Sequence, residues 1–193
     1  MNPLTQDDLL PLEHYARERA AFRTRVLAHK RDRKVRIGEH VTLLFEDRLT
    51  IQYQIQEMLR AEKIFEPEGI AEELDSYNPL IPDGGNLKCT MLIEYDDVEV
   101  RKRELLRLRN IEHEVQLIVE GHAPITAVAD EDLPRSNDEK TAAVHFLRFE
   151  LDATAVADFK RGAAATLRIE HANYRAEARL TEAQQKALAA DLD

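Results

Sequence analysis

Between Phe45 and Ile64 the chain carries neither Gly nor Pro, and the next Pro is Pro67. A run of that length opened by Asp47, a good N-cap because its carboxylate satisfies free amide groups, predicts a long helix. At about 100° per residue, Ile51, Ile55, Met58 and Leu59 gather on one face, with Glu62 in its middle. Tyr53, Glu57, Arg60 and Ile64 form a second stripe on the far side, where Glu57 and Arg60 are spaced to pair. A solvent-facing helix needs neither a Tyr nor an Ile among its charges, so contacts on both sides are expected. A carboxylate on an apolar face must find a partner, and a salt bridge is the default for Glu62.

The elements around this helix follow from their punctuation. Thr5 is placed to cap a short helix through Leu10, and Pro11 to open a second helix through Tyr15, Phe22 and Val26 towards Arg33. That second helix ends in a basic run, His29 to Arg36, read as cations that complement a helix C-terminus and solvate its surface. Val35–Ile37 and Val41–Phe45 read as a hairpin around Gly38-Glu39-His40. Pro67 begins another short helix, acidic in its first turns. Asn78 to Asn86 is the clearest loop, rich in turn-forming residues.

From residue 87 the period changes to two. Leu87, Cys89, Met91, Ile93 and Tyr95 alternate with Lys88, Thr90, Leu92 and Glu94, a strand buried on one side and partly on the other. A helix over 97–109 is expected to face Val98, Leu105 and Leu108 inward. Strands are expected at His113–Glu120, Ile125–Ala129, Ala143–Leu151, Thr166–His171 and Asn173–Leu180. Glu131–Lys140 reads as a polar loop or insert. Helices are expected from Asp152 to Lys160, ending at Gly162, and from Glu182 to Leu192 behind a Thr181 cap. The order predicts a single α+β domain over 1–193: residues 1–80 mainly helical, packed on a largely antiparallel, sheet-rich part over 81–193. Regular βα alternation and Gly-x-Gly-x-x-Gly are missing, which argues against a Rossmann-like fold.

Charge and cysteine usage narrow the function. A net charge of −10 with pI near 5.2 disfavours nucleic-acid binding, which needs a basic surface. The single Cys89 excludes an internal disulfide and any Cys-rich zinc or iron–sulfur site. The first residues lack the regions of a signal peptide, and no apolar run reaches membrane-spanning length, so a cytoplasmic protein without membrane contact is expected.

Two constellations are candidates for chemistry. His113 lies in phase with Val115, Leu117 and Val119, His145 with Leu147 and Phe149, and His171 with Leu167 and Ile169. If those strands are neighbours, three imidazoles converge as iron or zinc ligands would, the basis for a metal-dependent enzyme. The bland alternative is three hydrogen-bonded histidines at strand ends. Glu57 and Glu62 point to different faces and cannot chelate one ion together. The other constellation is an interface. Tyr53, Gln56, Glu57, Arg60 and Glu62 on the long helix, with Asn78 and Asn86 framing the loop, suit a protein contact, because Tyr and Arg are common anchors there. A homodimer is a further reading.

Four ordered blocks carry a resemblance: Thr5 to Tyr15, Arg48 to Glu62, Asn78-Pro-Leu-Ile-Pro82 and Leu87-Lys-Cys-Thr-Met-Leu-Ile-Glu94. Together they resemble an uncharacterised bacterial family, the domain of unknown function numbered 3501, over nearly the whole chain. In that family the genes tend to lie beside those for rubrerythrin and for an iron–sulfur oxidoreductase. The resemblance therefore implies an accessory protein of a redox and oxidative-stress system, with one of those proteins as partner. It carries over no catalytic residues.

Overall fold

Period-two burial from Leu87 to Ile93 places the middle of the first sheet, and everything else is hung from that strand. The structure is a computed structural model that describes residues 2–129 and 141–193. The Glu131–Lys140 expectation lies outside the described residues. After a single 3-10 turn at Gln6–Asp8 come α1 (Leu12–Arg31), β1 (Lys34–Ile37), β2 (Val41–Phe45), α2 (Arg48–Glu62) and α3 (Pro67–Tyr77). Then follow β3 (Asn86–Ile93), α4 (Val98–Arg107), β4 (Val115–Val119), β5 (Ile125–Thr126), β6 (Val128–Ala129) and β7 (Val144–Glu150). The chain closes with α5 (Ala153–Lys160), β8 (Ala165–His171), β9 (Tyr174–Arg179) and α6 (Glu182–Ala189).

The strands form two antiparallel sheets, ordered β1-β2-β3-β7-β6 and β5-β4-β8-β9, so the α+β class is as expected. Register keeps apolar side chains opposite one another. Leu43 faces Met91, Phe45 faces Cys89, and Leu87 faces Phe149. A one-residue slip would turn all of these outward. Val115, Leu117, Leu167 and Ile169 of the second sheet join the same buried cluster. The two sheets thus share one core, and the chain changes sheet at Ala127, between β5 and β6. The β1–β2 hairpin comes from the mainly helical half yet extends the sheet of the other half.

The helices begin where capping chemistry allows. Asp47, Asp97, Asp152 and Thr181 each accept a hydrogen bond from an amide three residues on. Lys63, at φ 57°, ends α2 in the left-handed conformation. Within α4 the expected orientation fails at its first residue. Leu108 is buried and Leu105 packs on the core, but Val98 is 49% exposed, because it sits in the first turn, ahead of the packed part of the helix.

The hairpin turn is pinned from the second sheet. The Tyr174 hydroxyl donates to the carbonyl of Ile37 at 2.5 Å and accepts from the amide of His40 at 3.1 Å. Gly38 lies at φ +69°, and a Cβ built there meets Tyr174 Oη at 2.6 Å. Gly38→Ala combines left-handed strain with loss of that hydroxyl's position, so urea unfolding should show a loss of about 2 kcal/mol. A neutral substitution would mean that the turn relaxes freely.

Candidate functional site

Helix α2 has partners on both sides. Ile51, Ile55 and Leu59 pack with Leu4, Leu74 and Ile81, while Tyr53 and Leu49 meet Tyr15, Phe22 and Val26 of α1. The two-sided reading of its sequence therefore holds. Most of the polar residues on its far side are engaged within the chain.

Glu57 does not pair with Arg60. Arg19 reaches it from α1 as a fork, Nε at 2.7 Å and Nη2 at 2.6 Å, and the Tyr15 hydroxyl donates to it at 2.6 Å. The Arg19 hydrogen bonds lead in pulling the Glu57 pKa down to about 2. Burial, followed by Glu57 itself, pushes the Tyr15 phenol up. Gln56 is fully buried and clasps Leu10, accepting from its amide at 2.6 Å and donating to its carbonyl at 3.2 Å. Asn78 treats Leu4 in the same way, at 2.7 and 2.9 Å. Asn86 is buried and donates to Asp83 and Glu150. These amides fasten the N-terminal segment and the loop. Arg60 and Glu62 are exposed. The expected burial of Glu62 is corrected, since Glu62 is the last residue of the helix, beyond the buried Leu59 turn. Glu62 has no ion pair among the described residues; instead its charge helps raise the pKa of Glu73, after burial.

Beside this junction α1 presents a face of aromatic and cationic groups. Phe22 and Tyr53 stack with centroids 6.1 Å apart. The Arg25 guanidinium lies 4.7 Å from the Phe22 centroid, and Lys30 Nζ lies 5.9 Å from that of Tyr53. A groove of about 440 Å³ opens there, lined by Leu10, His14, Glu18, Phe22, Arg25 and Gln52.

The three histidines are not joined as ligands. His113 lies in a 3-10 turn, Ile111–Glu114, ahead of β4, with its side chain 60% exposed. Its strand assignment is corrected: Asn110 at φ 68° and the turn after it break the period-two phase before Val115. His145 is fully buried on β7 of the first sheet, with Nε2 2.7 Å from Thr141 Oγ1, whose hydroxyl donates to Glu112 at 3.1 Å. His171 ends β8 in the second sheet. It accepts from the Asn173 amide at Nδ1, which leaves Nε2–H to donate to the Arg109 carbonyl at 3.1 Å. All three touch the 109–114 segment, but at different atoms. Among the described residues no three His, Cys, Asp or Glu side chains are grouped to hold a metal ion.

A second buried polar group escaped the sequence reading. Arg33, only 2% exposed, donates to the carbonyls of Phe45, Glu46 and Ala187 and pairs with Asp191, while Asp47 lies 3.3 Å away. Asp47 also meets His29 Nε2 at 2.5 Å while capping α2. Nearby, Glu46 accepts from Thr50 and Thr90. This network ties α1, the end of β2, the start of α2 and α6 together.

The comparisons agree with the fold and are silent on chemistry. The family described as Protein of unknown function (DUF3501) matches residues 3–192. The crystal structure of a novel protein of unknown function from Burkholderia pseudomallei K96243 is similar at 51% identity and a TM-score of 0.95, over 100% of both chains. Comparison with curated proteins gave no significant match. Among the described residues no helix is long and apolar enough to cross a membrane.

Proposed function

The chain belongs to the DUF3501 family, and on that premise we propose a binding protein whose α1 face docks an acidic protein partner within a redox and oxidative-stress system. The observation that carries this reading is segregation of charge. Helix α1 holds six cations, Arg17, Arg19, Arg23, Arg25, Lys30 and Arg31, against Glu13 and Glu18. With Arg19 held by Glu57, the helix still brings a surplus of +3 to a chain of −10. A local basic face steers an acidic partner and fixes its register, whereas the net charge repels a nucleic acid. The exposed Arg25, held over the buried Phe22 ring, and the half-buried Tyr53 are residue types that interfaces favour as anchors. The exposed Arg60 lies on the same helix as Tyr53. The partner class, a rubrerythrin-like or iron–sulfur protein, comes from the resemblance and its gene neighbourhood.

The test is titration of each of those two proteins onto isotopically labelled chain, with the Arg23→Glu/Arg25→Glu variant beside it. Amide shifts should concentrate on α1, and charge reversal should weaken binding at least ~10-fold, with steep salt dependence. Absence of α1 shifts with both proteins overturns the reading. So does a concentration-dependent doubling of solution mass that uses the same face, or saturation of that face by a short DNA duplex.

A further inference from the structure

On a different face, α5 and α6 enclose a cleft of about 410 Å³ with Phe159, Lys160, Arg161, Arg179, Gln185 and Lys186 in its lining. The cations come from three separate stretches: the end of α5, the end of β9 and the middle of α6. Glu182 is the acid of the lining. Two of the four cations are occupied: Lys160 donates to the Leu192 carbonyl at 2.9 Å, and Arg161 pairs with Asp158. Arg179 and Lys186 have no ion-pair partner among the described residues.

We propose that this cleft binds a small multivalent oxyanion, a phosphate-bearing or polycarboxylate metabolite with a short apolar portion. Three arguments support it. Two cations without an ion-pair partner, Arg179 and Lys186, share one concavity with Lys160 and Arg161 and a single lining acid, Glu182, in a chain whose net charge is −10. Arg179 and Lys186 line one concavity with no carboxylate paired to either among the described residues, and a guanidinium with an ammonium is the usual pair for phosphate or carboxylate groups. The cleft is also held open by its own frame. The Gln185 amide donates to the carbonyls of Phe159 and Ala163, at 3.0 and 2.6 Å, fastening α6 across the turn that leaves α5. Its floor is apolar, since Phe159 and Leu180 are buried there. A polar rim over an apolar floor, at this volume, fits a small metabolite better than a macromolecule.

The probes are inorganic pyrophosphate and citrate, each titrated onto labelled full-length chain against sodium chloride of equal ionic strength. Saturable shifts at the residues named are expected, with pyrophosphate tighter if the ligand carries phosphate and citrate tighter if it carries carboxylates. Arg179→Ala/Lys186→Ala should weaken binding at least ~10-fold, and Arg179→Lys should retain part of it. Lys102→Ala, on exposed α4, should bind as the parent does. Both positions are exposed, and thermal unfolding of each variant should match the parent. The proposal is overturned if neither probe saturates, or if the double variant binds as well as the parent. It is equally overturned if the shifts track ionic strength alone.

Discussion

Arg33→Ala should cost about 3–5 kcal/mol, the usual loss when one partner of a buried ion pair is removed. The guanidinium is the centre of the network rather than one of its edges. It donates to three backbone carbonyls, and it compensates two carboxylates, Asp47 and Asp191, themselves 7% and 3% exposed. Without it the two buried carboxylates lose the guanidinium they share, and Asp47 keeps only its contact with the His29 ring. In a chain of this size the loss corresponds to a fall in Tm of roughly 10 °C. Coupling is the discriminating measurement. Asp191→Asn on its own should be mild, and on the Arg33→Ala background it should recover more than about 1 kcal/mol by removing a stranded charge. Additive urea midpoints for the two single variants and the double would mean that Arg33 acts by packing, and the electrostatic account would fall.

Arg33 also marks where sequence reasoning stops. It lies inside the basic run His29–Arg36, which reads as solvated surface because its immediate neighbours, Asp32 and Lys34, are charged. Its partner Asp191 is 158 residues away, a distance no local pattern spans. The same limit governs α2. Its cap and its two-sided packing were legible from Asp47 and the 3.6-residue spacing, and so was the alternation of burial from Leu87 to Ile93; its end at Glu62 was not, because Lys63 gives no signal of a left-handed cap. The fate of Gln56, Glu57 and Asn78 was not. Periodicity says that a residue faces away from one core; it does not say that Arg19 and Tyr15 wait on the other side. Polar residues that looked available to a partner are the clasps that hold α1 and the N-terminal segment. His113 shows a different failure: a period-two phase was extended two residues past the true start of its strand. Asn110, a residue tolerant of positive φ, was the available signal for the break.

Between about pH 4 and pH 6 the difference in stability between this chain and its Asp191→Asn variant should change by up to roughly 3 kcal/mol. Burial leads in raising the Asp191 carboxyl from 3.8 to about 6, against the charge and hydrogen bond of Arg33, which lower it; Asp47 adds to the rise and His29 opposes it. The folded state therefore holds a proton in this window that the unfolded chain has released. Stability from this group is fully present below the unfolded value and is lost as pH rises through the folded one. Glu57, at about 2 in the fold, has the opposite sign: its contribution is present above its ordinary value of 4.5 and disappears on acidification. Comparison with Asp191→Asn cancels Glu57 and isolates Asp191. Urea unfolding at half-unit steps from pH 4 to pH 7 should show the parent gaining on the variant as the solution is acidified. Amide exchange along α6, which Asp191 and the Ala187 carbonyl anchor to Arg33, should slow over the same range. Parallel curves would mean that Asp191 is ionised in the fold throughout, with Arg33 overcoming the cost of its burial.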